Sequence, residues 1–108
     1  MANIETSKRF RIIDLIDYME GGVSSRQIIK SANGNITLFS FSAGEGLSEH
    51  TAPYDAMVHI LTGSAVVTID GKRHDMGEGD MIIMPAGVLH ALHADQDFKM
   101  ILVMIKSS

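Results

Sequence analysis

Apolar runs of strand length recur at short intervals from Val23 onward, separated by turn-forming residues, and this spacing predicts an all-β chain of roughly nine or ten short antiparallel strands. Ile36 to Phe41 alternates cleanly, with Ile36, Leu38 and Ser40 on one side and Thr37, Phe39 and Phe41 on the other. Ala65 to Ile69, Asp70-Gly71 and Lys72 to His74 read as a tight hairpin, because Asp-Gly suits a two-residue turn matched to strand twist. Asn33-Gly34 predicts a second such turn, between a strand from Arg26 to Lys30 and the strand at Ile36. Leu47 to Thr51 and Ala56 to Leu61 are further strands, with Pro53-Tyr54-Asp55 as the turn between them.

Two runs carry no polar face. Met81-Ile82-Ile83-Met84 predicts a short strand buried on both sides, stopped by Pro85 and bent at Gly87. Phe98 to Ile105 is apolar on both sides apart from Lys99, so it needs a cover, which a homodimer would supply. Before the strands, Phe10 to Met19 fits a short strand followed by one helical turn capped by Asp14, stopped at Gly21-Gly22. Residues 1 to 9 are polar and expected to be loosely held.

At 108 residues, one domain over 1–108 with a barrel over 23–105 is the natural organisation, since so many short strands must close on themselves to hide their edges. A hydrophobic share of 45% with dispersed charge favours an ordered globular chain. The formal net charge of -4, with no basic cluster beyond Lys8-Arg9-Phe10-Arg11 and Lys72-Arg73, argues against a nucleic-acid partner. The absence of cysteine excludes disulfides, thiolate metal sites and cysteine nucleophiles. No apolar run is long enough to cross a bilayer or to form a signal peptide, so no membrane partner is expected and a cytoplasmic location is the default.

His90 is the first candidate for chemistry. Alternation through Val88 to Leu92 puts it on one face with Leu92 and Ala94, either as a core histidine bonded to a backbone carbonyl or as a ligand or proton-transfer group in a cavity. By parity His59 and His93 fall on the outer face, and His74 on an exposed hairpin.

Two spaced blocks resemble those of the cupin superfamily. Gly79, Pro85, Gly87 and His90 match its second block, with Ala94 in the place of its Asn. Gly44, His50 and Gly63 match its first block, with Ala52 in the place of the second His and Ala56 in that of the Glu. The resemblance implies a double-stranded β-helix (jelly-roll barrel), with His50 and His90 converging on its interior. It also implies a metal held by three His and one Glu, of which only His50 and His90 remain. Asp55 could complete a set as a carboxylate only if a bulge re-aimed it inward, and Glu49 is in the same position. Tyr54 either leans over the mouth or packs in its turn.

Two alanines in place of two ligands leave an apolar pocket with two imidazoles. Such a pocket suits a small organic molecule, with a weakly held divalent metal (Zn, Ni, Fe or Mn) as an accompaniment. The alternatives are a metal-dependent enzyme of dioxygenase or isomerase type using His50 and His90, and a metal-free acid-base catalyst using the same pair.

Overall fold

Asp70 and Gly71 both adopt positive φ, 50° and 78°, as the Asp-Gly turn requires, and they join β5 (Ala65–Ile69) to β6 (Lys72–Met76). The computed structural model describes residues 4–106, so the first part of the 1–9 terminus lies outside the described residues. The described residues contain nine strands. β1 (Val23–Ser31), β2 (Gly34–Phe41), β4 (Tyr54–Thr62), β7 (Met81–Met84) and β9 (Phe98–Lys106) form one sheet in the order β1-β2-β9-β4-β7. β3 (Gly46–His50), β8 (His90–His93), β5 and β6 form the second, in the order β3-β8-β5-β6. All pairings are antiparallel, and the architecture is the jelly roll that the sequence implies.

The core lies between the sheets. Phe98, on the central strand β9, stacks on Phe41 with ring centroids 4.7 Å apart, and Val58, Ile60, Val67 and Met100 close around them without exposure to solvent. Alternation in β2 sends Phe41 inward and Leu38 and Ser40 outward, yet both outward residues are fully buried. Their cover is the N-terminal segment. Its backbone carbonyls are caught by three side chains of the outer face: Arg26 Nη1 donates to Leu15 O, Ser40 Oγ to Asp17 O and Lys99 Nζ to Ile13 O. A segment with no ladder partners is thereby satisfied by side chains.

Four sequence expectations are corrected. Phe10 to Met19 contains no strand, only a 3₁₀ turn at Ile12–Leu15, and Asp14 lies within that turn rather than capping it. Asn33-Gly34 is not the centre of its hairpin: Ser31 pairs with Gly34 and the turn residues are Ala32 and Asn33. Gly34 answers a different demand, since a Cβ there would lie 2.3 Å from Met104 O on the neighbouring strand. Met81–Met84 is an edge strand buried on one side only, with Met81 and Ile83 exposed. Pro53-Tyr54-Asp55 is not wholly a turn, because β4 already begins at Tyr54.

The outer face is only half covered. Register connects Ile29, Ile36, Val103, Met57 and Ile83 as direct neighbours, one on each of the five strands, in an unbroken apolar row. The N-terminal segment crosses the other half, over Leu38, Ser40 and Lys99.

Candidate functional site

The site begins with a bulge. Leu47 pairs with Leu92 and His50 with His90, so Ser48 and Glu49 of β3 stand opposite Ala91 alone on β8. Strict alternation would send Leu47 and His50 to opposite faces; the extra residue brings both inward, where both line one cavity. On the other wall, His90 follows the turn after Pro85. Gly87 turns it with φ of 77°, and two bonds tie it to the β3–β4 connection and to the start of β4, Gly87 N to Ala52 O and Ala86 N to Asp55 Oδ1, each 2.9 Å.

The two imidazoles meet edge to face, with centroids 4.4 Å apart. Each is held the same way. His50 Nδ1 lies 2.7 Å from Ser48 O and His90 Nδ1 lies 3.1 Å from Val88 O, in both cases the carbonyl two residues upstream. A carbonyl only accepts, so Nδ1 carries the proton in both rings, and the uncharged imidazole then keeps its lone pair at Nε2. The cavity that these rings border is about 60 Å³ and is otherwise apolar, lined by Leu47, Ala52, Ala56, Leu92, Leu102 and three methionines, Met84, Met100 and Met104. His90 is 6% exposed, whereas His50 is solvent-exposed and forms the rim.

The remaining sequence candidates fall elsewhere. Asp55 pairs with Ile105 on the outward parity and spends its carboxylate on Ala86 N, so it braces the turn that delivers His90 and does not line the cavity. Tyr54 pairs with Lys106 at the start of β4 and is absent from the lining. Glu49 is exposed. His59 pairs with Ile101 and Met81 on the outer face, and His93 is exposed, both as parity predicts. His74 is half-buried rather than free in solvent, because it pairs with the fully buried Val67.

Residues 37–106 match the Cupin domain family model. The chain belongs to the cupin family. A conserved protein of unknown function from Streptococcus pyogenes is 37% identical, with a TM-score of 0.93 over 99% of this chain and 94% of that one. A cupin superfamily protein from Desulfitobacterium hafniense is 31% identical, with a TM-score of 0.91 over 98% of this chain and 97% of its own. A cupin 2 conserved barrel domain protein from Leptotrichia buccalis is 34% identical, with a TM-score of 0.86; the match covers 90% of this chain but 47% of that one.

The metal set that the family resemblance implies does not fit this cupin. Ala52 and Ala56 stand where a nitrogen and a carboxylate would be needed, and among the described residues no group of three or more His, Cys, Asp or Glu could hold an ion. Even catalytic zinc sites use three protein ligands. Sequence reasoning takes Met57, Met81, Met84, Met100 and Met104 as soft core packing; what it does not place is the neighbourhood of Ala56, which has Met84 and Met104 as its direct cross-strand neighbours, one on each side, both lining the cavity. Only the register across β7, β4 and β9 reveals it.

Proposed function

We propose that this cupin is a binding module that holds a small, partly apolar organic molecule by a hydrogen-bond donor placed between Nε2 of His50 and Nε2 of His90. The observation that supports it is the shared fixing of both rings through Nδ1, which leaves two acceptors bordering one apolar cavity. A volume of about 60 Å³ is far below that of a pocket for a drug-sized ligand, so only the donor-bearing head enters. The remainder of the molecule lies over the exposed rim at His50. Two hydrogen bonds contribute about 1–3 kcal/mol net, less than the ~4 kcal/mol of millimolar binding, so apolar contact must supply the rest. Metal-dependent chemistry of dioxygenase or isomerase type would need ligands that this cavity replaces with alanine.

Phenol is the probe that fits this description. Added to ¹⁵N-labelled protein, it is expected to shift the Nε2 resonances of His50 and His90 in histidine side-chain NMR spectra, whereas benzoate, which offers no donor at neutral pH, is not. His90→Ala should abolish the response, and His50→Ala, at the exposed rim, serves if the first variant folds poorly. Equal shifts with benzoate, or none with phenol, would reject the reading.

We further propose that the bare half of the outer sheet face is covered by a second copy of the chain. Ile29, Ile83 and Ile105 are 59%, 58% and 61% exposed there, in line with the row that crosses all five strands. Five strands spaced about 4.8 Å apart, with nine-residue strands among them, give the whole face roughly 600 Å² of flat area, so the bare half offers about 300 Å², and side-chain relief and the flanking loops must supply the rest of the ~800 Å² that each partner of a stable dimer buries. A row running across the whole sheet can meet itself about a two-fold axis. Light scattering after size exclusion should give a dimer, and Ile83→Lys a monomer with an unchanged melting temperature; a monomeric wild type, or a dimeric variant, would refute the proposal.

A further inference from the structure

Two cations lie beneath the N-terminal segment on the outer sheet face, and among the described residues neither is paired with a carboxylate. Lys99 Nζ donates to Ile13 O over 2.7 Å and Arg26 Nη1 to Leu15 O over 2.9 Å, while Arg26 Nε is buried without an acceptor. The segment's own carboxylates, at Asp14 and Asp17, are exposed and pair with neither cation. We propose that this half of the face is a docking surface for an acidic peptide segment of another protein, and that residues 13–17 occupy it as a tethered stand-in that offers carbonyls where the partner offers carboxylates.

Charge matching decides the occupant. A cation taken out of water is ordinarily matched by a carboxylate, because a carbonyl replaces only part of the lost hydration. A guanidinium fork gives a carboxylate two N–H bonds at once, whereas Leu15 O takes one and leaves Nε idle. The two sheet rows that the segment crosses, from Ser24 to Thr62 and from Arg26 to Met81, contain no acidic residue, so the face beneath is cationic and apolar. The carbonyls now caught are those of residues 13 and 15, which sets two carboxylates two residues apart in the partner. Ile16, 7% exposed, marks an aliphatic side chain directly after them. The covering segment can lift as a unit. Its other hydrogen-bonded anchors are Ser40 Oγ at Asp17 O and Thr62 Oγ1 at the Tyr18 hydroxyl. It joins β1 through a turn closed by Gly22 N to Met19 O at 3.0 Å, with Gly21 at φ of 66° in the third position. Ser42 pins that turn, accepting from Gly21 N at Oγ and donating from its own N to Gly22 O, so the chain before the turn can leave without disturbing β1.

The test adds the peptide acetyl-Asp-Leu-Asp-Ile-Ser-amide to the full ¹⁵N-labelled chain at low salt, with the neutral acetyl-Asn-Leu-Asn-Ile-Ser-amide as control. The tethered segment competes at an effective concentration of about millimolar order, so half-release is expected at about 1–10 mM acidic peptide and at least about tenfold higher for the neutral one. Amide signals of residues 13–18 should move to disordered positions and the Arg26 Nε–H signal should shift. Both responses should fade near about 1 M salt, where the screening length is about 3 Å. Arg26→Gln with Lys99→Gln should lose the preference for the acidic peptide; if that variant fails to fold, the two peptides on the wild type decide. Peptide bound only by the exposed Lys8, Arg9 and Arg11 would leave the segment and the Arg26 signal in place, and would overturn the proposal. So would equal responses to the two peptides, or a double variant that keeps the wild-type preference. Release on raising the protein concentration alone would assign the face to a second copy of the chain and overturn it as well.

Discussion

Phe98→Ala is expected to lower the free energy of unfolding by about 3–5 kcal/mol, the range for truncating a fully buried aromatic residue. Phe98 has no exposed surface, opens the central strand of the five-stranded sheet and stacks on Phe41 with an interplanar angle of 1°. Phe41 in turn stacks on Phe39, centroids 5.9 Å apart, so the truncation breaks one end of a three-ring series. Such pairs add roughly 0.5–1.5 kcal/mol beyond area burial. The cavity cannot refill easily, because the chain already touches Phe98 from the opposite side: a Cβ on Gly63 would lie 2.8 Å from that of Phe98. Against a total of about 5–15 kcal/mol for an ordinary domain, the variant should be marginal at best. Urea unfolding at matched slope measures the effect, with Phe10→Ala, a half-exposed ring outside the core, as a control expected to change stability by about 0.5 kcal/mol or less. An unchanged midpoint for Phe98→Ala would mean that the two sheets do not close on this ring.

What could be read from the residues alone tracks how local the determining physics is. The Asp70-Gly71 hairpin was legible because the turn needs two positive φ values and those residue types supply them. Asn33-Gly34 offers the same signal, but Gly34 serves the close approach of the β9 backbone, a demand set by residues 70 positions away. Met81–Met84 shows a different limit. An apolar run records that both faces avoid water without recording where the strand sits, and here one face meets the core while the other joins the bare apolar row at a sheet edge. The convergence of His50 and His90 was legible through motif spacing. The bulge that permits it was not, since nothing in Leu47-Ser48-Glu49-His50 marks an extra residue. Nor could spacing reveal that methionines flank Ala56, because that neighbourhood exists only once β7, β4 and β9 are in register. The candidate site is therefore a product of two pairings, β3 with β8 and β4 with its neighbours, each of which can be disturbed separately.

Gly46→Ala disturbs the first of them and is expected to separate the imidazoles while leaving the core intact. Gly46 pairs with His93, and a Cβ there would lie 2.3 Å from Leu92 O. Its φ lies outside the left-handed region, so the cost is steric rather than conformational. Ordinary contact begins at 3.4 Å, so β3 must withdraw by the difference, 1.1 Å, or twist by an equivalent amount. The nearest atoms are β8 backbone, which cannot turn aside as a flexible side chain would. β3 is an edge strand tied to its sheet through β8 alone, so it yields more readily than the sheet does. Overpacking of this kind costs about 1–3 kcal/mol. The larger consequence falls on the site, where His50 is carried away from His90 and a displacement of that size suffices to lose a two-point contact. Loss of the phenol response, with urea stability reduced by about 1–3 kcal/mol, is the expected result. Gly44→Ala provides the contrast: its φ of 91° makes alanine strained, by about 1–2 kcal/mol, but no atom lies within 4 Å of the added methyl, so stability should fall while the histidine response persists. A Gly46→Ala protein with the stability and phenol response of the wild type would mean that β3 and β8 do not approach each other as closely as this structure has them, and that something other than this pairing holds the two rings together.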